Sequence, residues 1–155
     1  MAVFGMFIDG VLRSSSGAPI YQGLGIYKLL QEANKIYLFS ENVERDERWL
    51  RENKLWKNTD DLIGPGVANG DPDIAFRQVM HCRSLGGSFE MAITSDPELT
   101  AKLLEKGVTT LMLVHPVYID EKFRPDGRVG VKSWADITAE IERQQDQFSE
   151  DRRVQ

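Results

Sequence analysis

The sequence predicts a three-layer α/β domain built on a mainly parallel five-stranded sheet. Three observations carry that prediction. Short apolar runs alternate repeatedly with segments of helical periodicity, which is the pattern of strand–helix–strand crossovers. The runs are near-continuous and not alternating, as strands covered on both faces require. The length, 155 residues, suits one domain of the usual ~100–200 residues with a self-sufficient core.

In order along the chain, residues 3–8 form an apolar run that exits into Asp9-Gly10. Residues 23–33 place Leu24, Tyr27, Leu29 and Leu30 at mostly helical spacing, and 35–40 is again strand-like. A charged helix with Trp49 and Leu50 is predicted over 43–53, and a short strand over 61–63. Residues 71–83 read as a helix with acids at its start, where the positive end of the helix dipole favours them. Residues 90–94 form the fourth strand, and 96–106 a helix closed by Gly107. The most hydrophobic strand candidate is 109–114, stopped by His115-Pro116. After a Pro/Gly-punctuated stretch at 119–130, a last helix is predicted over 133–148. The expected organisation is therefore one Rossmann-like domain over 1–149, with a frayed tail at 150–155.

Composition narrows the function classes. Hydrophobic content of 41% with 28% charged residues excludes disordered and fibrous chains. The single cysteine, Cys82, cannot form an internal disulfide, which points to a reducing, cytoplasmic setting. Inside a predicted helix it reads as packing, since a mid-helix thiol lacks the helix-N-terminal position that activates cysteines. No apolar run approaches the ~18 residues of a membrane span, and the N-terminus lacks the basic region of a signal peptide. A net charge of −5 argues against bulk nucleic-acid binding. Arg45, Arg48, Arg51 and Lys54 fall at helical spacing, but Asp46, Glu47 and Glu52 interleave them, which reads as a solvated, salt-bridged face. Trp49, Trp56 and Trp134 read as core or interface aromatics.

Sites in parallel α/β sheets lie at the carboxyl ends of the strands, near the switch in strand order. The predicted strands deliver Asp9-Gly10, Ser40-Glu41-Asn42, Thr94-Ser95-Asp96 and His115-Pro116 to that edge, and the segment entering the third helix adds Asp71 and Asp73. The edge is acidic, with no counter-charge evident in these motifs. Asp9, Asp71 and Asp96 are then expected to repel one another, and Asp71→Asn to stabilise the protein at neutral pH.

Phe7-Ile8-Asp9-Gly10-Val11-Leu12, followed by Gly17-Ala18-Pro19-Ile20 and Gly23, resembles the opening of the haloacid dehalogenase-like (HAD) phosphohydrolases. That family begins with an apolar strand, then Asp-x-Asp-Gly-Val-Leu and a Gly-x-Pro-Ile-x-Gly stretch. Tyr37-Leu38-Phe39-Ser40 resembles its second motif, and Ile93-Thr94-Ser95-Asp96 with the strand through Pro116 its fourth. The resemblance covers residues 3–118 and leaves no room for a sizeable cap domain. It implies Asp9 as general acid/base, Ser40 as a phosphate-orienting hydroxyl, Asp9 and Asp96 as Mg²⁺ ligands, and Gly10, Asp71 and Asp73 beside the ligand.

The departures are as informative. The family's nucleophilic, metal-binding Asp corresponds to Phe7, which has no nucleophilic atom and no oxygen ligand. The Lys of its third motif corresponds to Asp71, while Lys102 and Lys106 lie in another element. Loss of the covalent nucleophile removes on the order of 10³ or more in rate. The resemblance therefore implies impaired or absent phosphatase chemistry, with binding of a phosphorylated small molecule or a protein partner in its place. Structural roles stand beside these. Asp9 can accept bonds from turn amides, Ser40 can cap the helix after Asn42, and Ser95 or Asp96 can cap the helix starting at Pro97.

A second constellation uses the same acids. Asp9, Glu41 or Glu44, Asp71 or Asp73, and Asp96 resemble the acidic set of PIN and NYN nucleases, which hold Mg²⁺ or Mn²⁺ and cut nucleic acid. The Gly-x-Pro-Ile stretch and the lack of a basic stripe for a phosphate backbone weigh against it.

Overall fold

A computed structural model describes residues 2–55, 61–115, 141–143 and 145–146. The chain divides into two compact units, Met1–Val114 and His115–Gln155. In the second, residues 141–143 and 145–146 are helical, within the predicted last helix. Trp56, Trp134, the stretch 119–130 and the tail 150–155 lie outside the described residues.

The first unit is α/β. Its strands are β1 (Ala2–Phe7), β2 (Lys35–Phe39), β3 (Leu62–Ile63), β4 (Ser88–Thr94) and β5 (Thr110–Met112). Its α-helices are α1 (Tyr21–Gln31), α2 (Val43–Glu52), α3 (Ile74–Ser84) and α4 (Pro97–Glu105), with a 3-10 turn at Pro65–Ala68. The five strands form one sheet in the order β3-β2-β1-β4-β5, and every pairing is parallel. The chain builds outward from β1 to β3, then crosses back to add β4 and β5. The switch in strand order therefore falls between β1 and β4.

Strand alternation divides the core between the two faces of the sheet. Met6, Ile8, Ile36 and Leu38 pack with Tyr27 of α1 and Leu50 of α2. Val3 and Phe39 pack with Val79 and Cys82 of α3 and Leu99 and Leu103 of α4. Helices thus cover both faces, and the expected near-continuous apolar strands follow from that burial. Among the described residues no helix is long and apolar enough to cross a membrane.

The boundaries differ from expectation where local chemistry overrides periodicity. Helix α3 starts at Ile74 and not at 71, because Pro72 biases Asp71 away from helical backbone. Strand β4 begins two residues early, at Ser88, where it pairs with Ala2. Strand β5 stops at Met112, although the Leu113 amide still donates to the Thr94 carbonyl at 2.8 Å.

Candidate functional site

A cleft of about 280 Å³ opens at the carboxyl end of the sheet, beside the switch point. β1 supplies Phe7 and then Asp9, β2 supplies Phe39 and then Glu41, and β4 supplies Thr94, Ser95 and Asp96. Ile74, Gln78 and Leu99 close it from α3 and α4. The rings of Phe7 and Phe39 stack at 4.7 Å with a 50° tilt, so the cleft wall is aromatic at the position where the resemblance places a nucleophile. Gly10 packs against this cleft with φ +84, and a Cβ there would overlap the Ser95 hydroxyl. Both the positive φ and the close approach explain the glycine.

Behind Asp9 lies a network that sequence reasoning missed. Arg13 is buried and donates to Asp9 through Nε at 3.0 Å and Nη2 at 2.7 Å. Its Nη2 also reaches Asp46 Oδ1 at 2.6 Å, and Asp46 is 0% exposed. The other Asp46 oxygen accepts from the Ser40 hydroxyl at 2.5 Å, and Arg45 Nε donates to Oδ1 at 3.1 Å. Burial pushes the Asp46 pKa up, but the bonds from Ser40, Arg13 and Arg45 outweigh it and leave it below the ordinary carboxylate value. Arg45 also approaches Asp9 at 3.6 Å. Gln78 donates to the carbonyls of Ser40 at 2.7 Å and Ile63 at 3.1 Å, tying α3 to β2 and β3. One signal was legible: Asp46 lies four residues before the buried Leu50, on the inward stripe of α2. Arg13 had no such cue, because a loop after a strand has no periodicity.

Ser40 is therefore committed inward. Its hydroxyl donates to Asp46 and accepts from the Asn42 amide at 3.1 Å. The cap of α2 is Asn42, whose side chain accepts from the Arg45 amide at 3.0 Å. Asp96 is the N-cap of α4, with Oδ1 accepting from the Glu98 amide at 3.0 Å while the residue lines the cleft. Of the predicted site residues, the structure brings Asp9 and Asp96 to one cleft and packs Gly10 against it.

Asp71 and Asp73 are not among its lining residues, and the expected uncompensated acidic edge is corrected. Asp71 accepts from the Asp73 amide at 2.9 Å and pairs with Arg77 at 2.7 Å. Asp73 pairs with Lys102 at 2.7 Å. Those two bonds to Asp71, the Asp73 amide foremost and then Arg77, hold its pKa below the ordinary carboxylate value. The counter-charges come from α3 and α4, not from the strand-end motifs. A depressed folded-state pKa adds stability above the unfolded value and loses it as pH falls through the folded one. Asp71→Asn is therefore expected to lower the melting temperature at pH 7. The difference should vanish in acid, below the ordinary carboxylate range, and thermal melts across that range check it.

The metal expectation finds little support in the donor set. Among the described residues no group of three or more His, Cys, Asp or Glu side chains is placed to hold a metal ion. Asp9 and Asp96 share the cleft, but arginines hold Asp9, and the resemblance's third oxygen ligand is replaced by Phe7. Of the nuclease set, Glu41 joins them in the cleft, whereas Glu44 lies in a surface depression on α2 with Arg48 and Arg51. Burial pushes the Cys82 thiol up to about 12, so it is protonated and inert at neutral pH. No family model, curated protein or solved structure gives a match to this chain.

Proposed function

We propose that the chain is a phosphohydrolase-like domain that binds a phosphorylated ligand without hydrolysing it. The observation that carries this reading is Phe7. Its ring packs on Phe39 and lines the cleft at the switch point, where a covalent mechanism needs a carboxylate. Asp9 supports the reading too. An acid/base must be free to meet the substrate's proton, yet this carboxylate is held by Arg13 at 2.7 Å and faced by Arg45 at 3.6 Å.

Phosphate-ester turnover with Mg²⁺ present is expected to stay at background, measured with a generic aryl phosphate. Robust turnover that Asp9→Asn abolishes would overturn the proposal. Phe7→Asp is expected to create measurable Mg²⁺ affinity, read as a metal-dependent rise in melting temperature that the native chain does not show. A panel of phosphorylated metabolites should contain members that raise the melting temperature, and unphosphorylated counterparts should not. A panel with no such member rejects the ligand class.

A further inference from the structure

We infer that a second cleft, on the far side of Asp9, is the phosphoryl subsite; the inference rests on the phosphorylated-ligand reading and deepens it. This cleft, about 380 Å³, lies between the serine loop at residues 14–17 and helix α2. Charge decides between the two clefts. The first is lined by the carboxylates of Asp9, Glu41 and Asp96 and by no cationic side chain. The second is lined by Arg13, Arg45 and Arg48 against Asp9 and Glu52. A phosphate monoester carries about −1.5 to −2 at neutral pH. Three carboxylates repel such a dianion, while planar guanidinium groups match its oxygens in charge and geometry.

The residues divide into those that build the site and those that reach its surface. Arg13 is bonded to Asp9 and Asp46 through Nε and Nη2, so it holds the wall. The Trp49 indole N–H donates to the Gly17 carbonyl at 3.0 Å, and the Arg13 guanidinium lies 5.3 Å from the ring centroid of the same tryptophan. The serine loop is pinned further by the Ala18 amide on Ser14 Oγ at 3.2 Å and by Ser14 Oγ against Ser16 Oγ at 2.9 Å. Ser15 and Ser16 remain exposed at the surface of this fixed loop. Arg45 is about half exposed, with Nε on Asp46 at 3.1 Å and Nη2 3.6 Å from Asp9, so an anion here shares it with those two acids. Arg48, three residues on and exposed, makes no ion pair among the described residues. Residues three apart share a helix face, and Arg45 and Arg48 line one cleft with Ser15 and Ser16, a donor set suited to a tetrahedral anion. Glu52, four residues after Arg48, competes for it from within this cleft, and Glu44 and Glu47 line a neighbouring depression with the same arginine.

Inorganic phosphate titrated at constant ionic strength, with backbone amide NMR shifts as readout, tests the subsite. Saturable shifts are expected at Ser15, Ser16, Gly17, Arg45 and Arg48. Arg48→Ala should weaken the phosphate affinity about tenfold, as loss of one charge-assisted contact does. Glu52→Gln should tighten it, a gain that a merely structural role for this face would not produce. Both positions are exposed, and unchanged shifts elsewhere will show that the fold is intact. Saturation confined to Thr94, Ser95 and Asp96, insensitive to Arg48→Ala, would overturn the subsite and leave the phosphorylated-ligand reading standing. No saturable shift at millimolar phosphate also overturns the subsite, whereas the ligand reading fails only with the metabolite panel.

Discussion

Asp46→Ala is expected to lose about 3–5 kcal/mol of folding stability, the range for breaking a buried ion pair from one side. The loss exceeds the value of any single contact because of what is left behind. Arg13, buried between Asp9 and Asp46, would keep its charge with Asp9 as its remaining carboxylate partner. Ser40, 1% exposed, would lose the acceptor of its hydroxyl proton. Asp46→Asn keeps the shape and one acceptor, so its loss should be smaller. Asp46 sits below its ordinary pKa when folded, so its contribution is present above the unfolded value and fades as pH falls through the folded one. The deficit of Asp46→Asn should then be full at pH 7 and shrink below pH ~4. Denaturant unfolding at both pH values measures this. Arg13→Met and Asp46→Leu combined should cost less than the sum of the two single losses, because each alone strands the other's charge. Strict additivity would mean that the pair is not coupled.

What the sequence revealed and what it hid follow from the range of the interactions. Strand runs and helical stripes are set by neighbours within a few residues, and β1, β2, α2 and α4 lie within two residues of their expected bounds. Caps are equally local, and Asp96 before Pro97 is an N-cap as its local signal indicated. The cleft's position followed from the parallel sheet alone, because the strand switch gathers the β1 and β4 exits. The partners of the acids were not legible, since each comes from another element. Arg13 reaches Asp46 across 33 positions, and Lys102 reaches Asp73 across 29. Charge interleaving on α2 also misled. Asp46 reads as part of a solvated face, yet it faces the interior beside Leu50, where it takes Arg13 as well as Arg45 as partners. A charge count along the chain cannot show which member of a pair turns inward.

Helix α1 allows the sharpest contrast, between two glycines two residues apart. Gly23 is buried, and a Cβ built on it would overlap the backbone carbonyl of Val11. A backbone oxygen cannot rotate away, so Gly23→Ala must push α1 off the loop that follows β1, the loop that also carries Arg13. The expected loss is about 3 kcal/mol, at the upper end for overpacking. Gly25 is exposed, and a Cβ there meets nothing within 4 Å. Gly25→Ala should therefore gain about 0.5–1 kcal/mol, because alanine loses less backbone freedom in a helix. Opposite signs from the same substitution separate packing from helix propensity, since propensity alone predicts a gain at both positions. Chemical denaturation of the two variants is sufficient. A stabilised Gly23→Ala would show that α1 does not press on Val11. The Gly23 spacing after Pro19-Ile20 would then have no basis in this contact, and Arg13 would lose one of the elements that hold its loop in place.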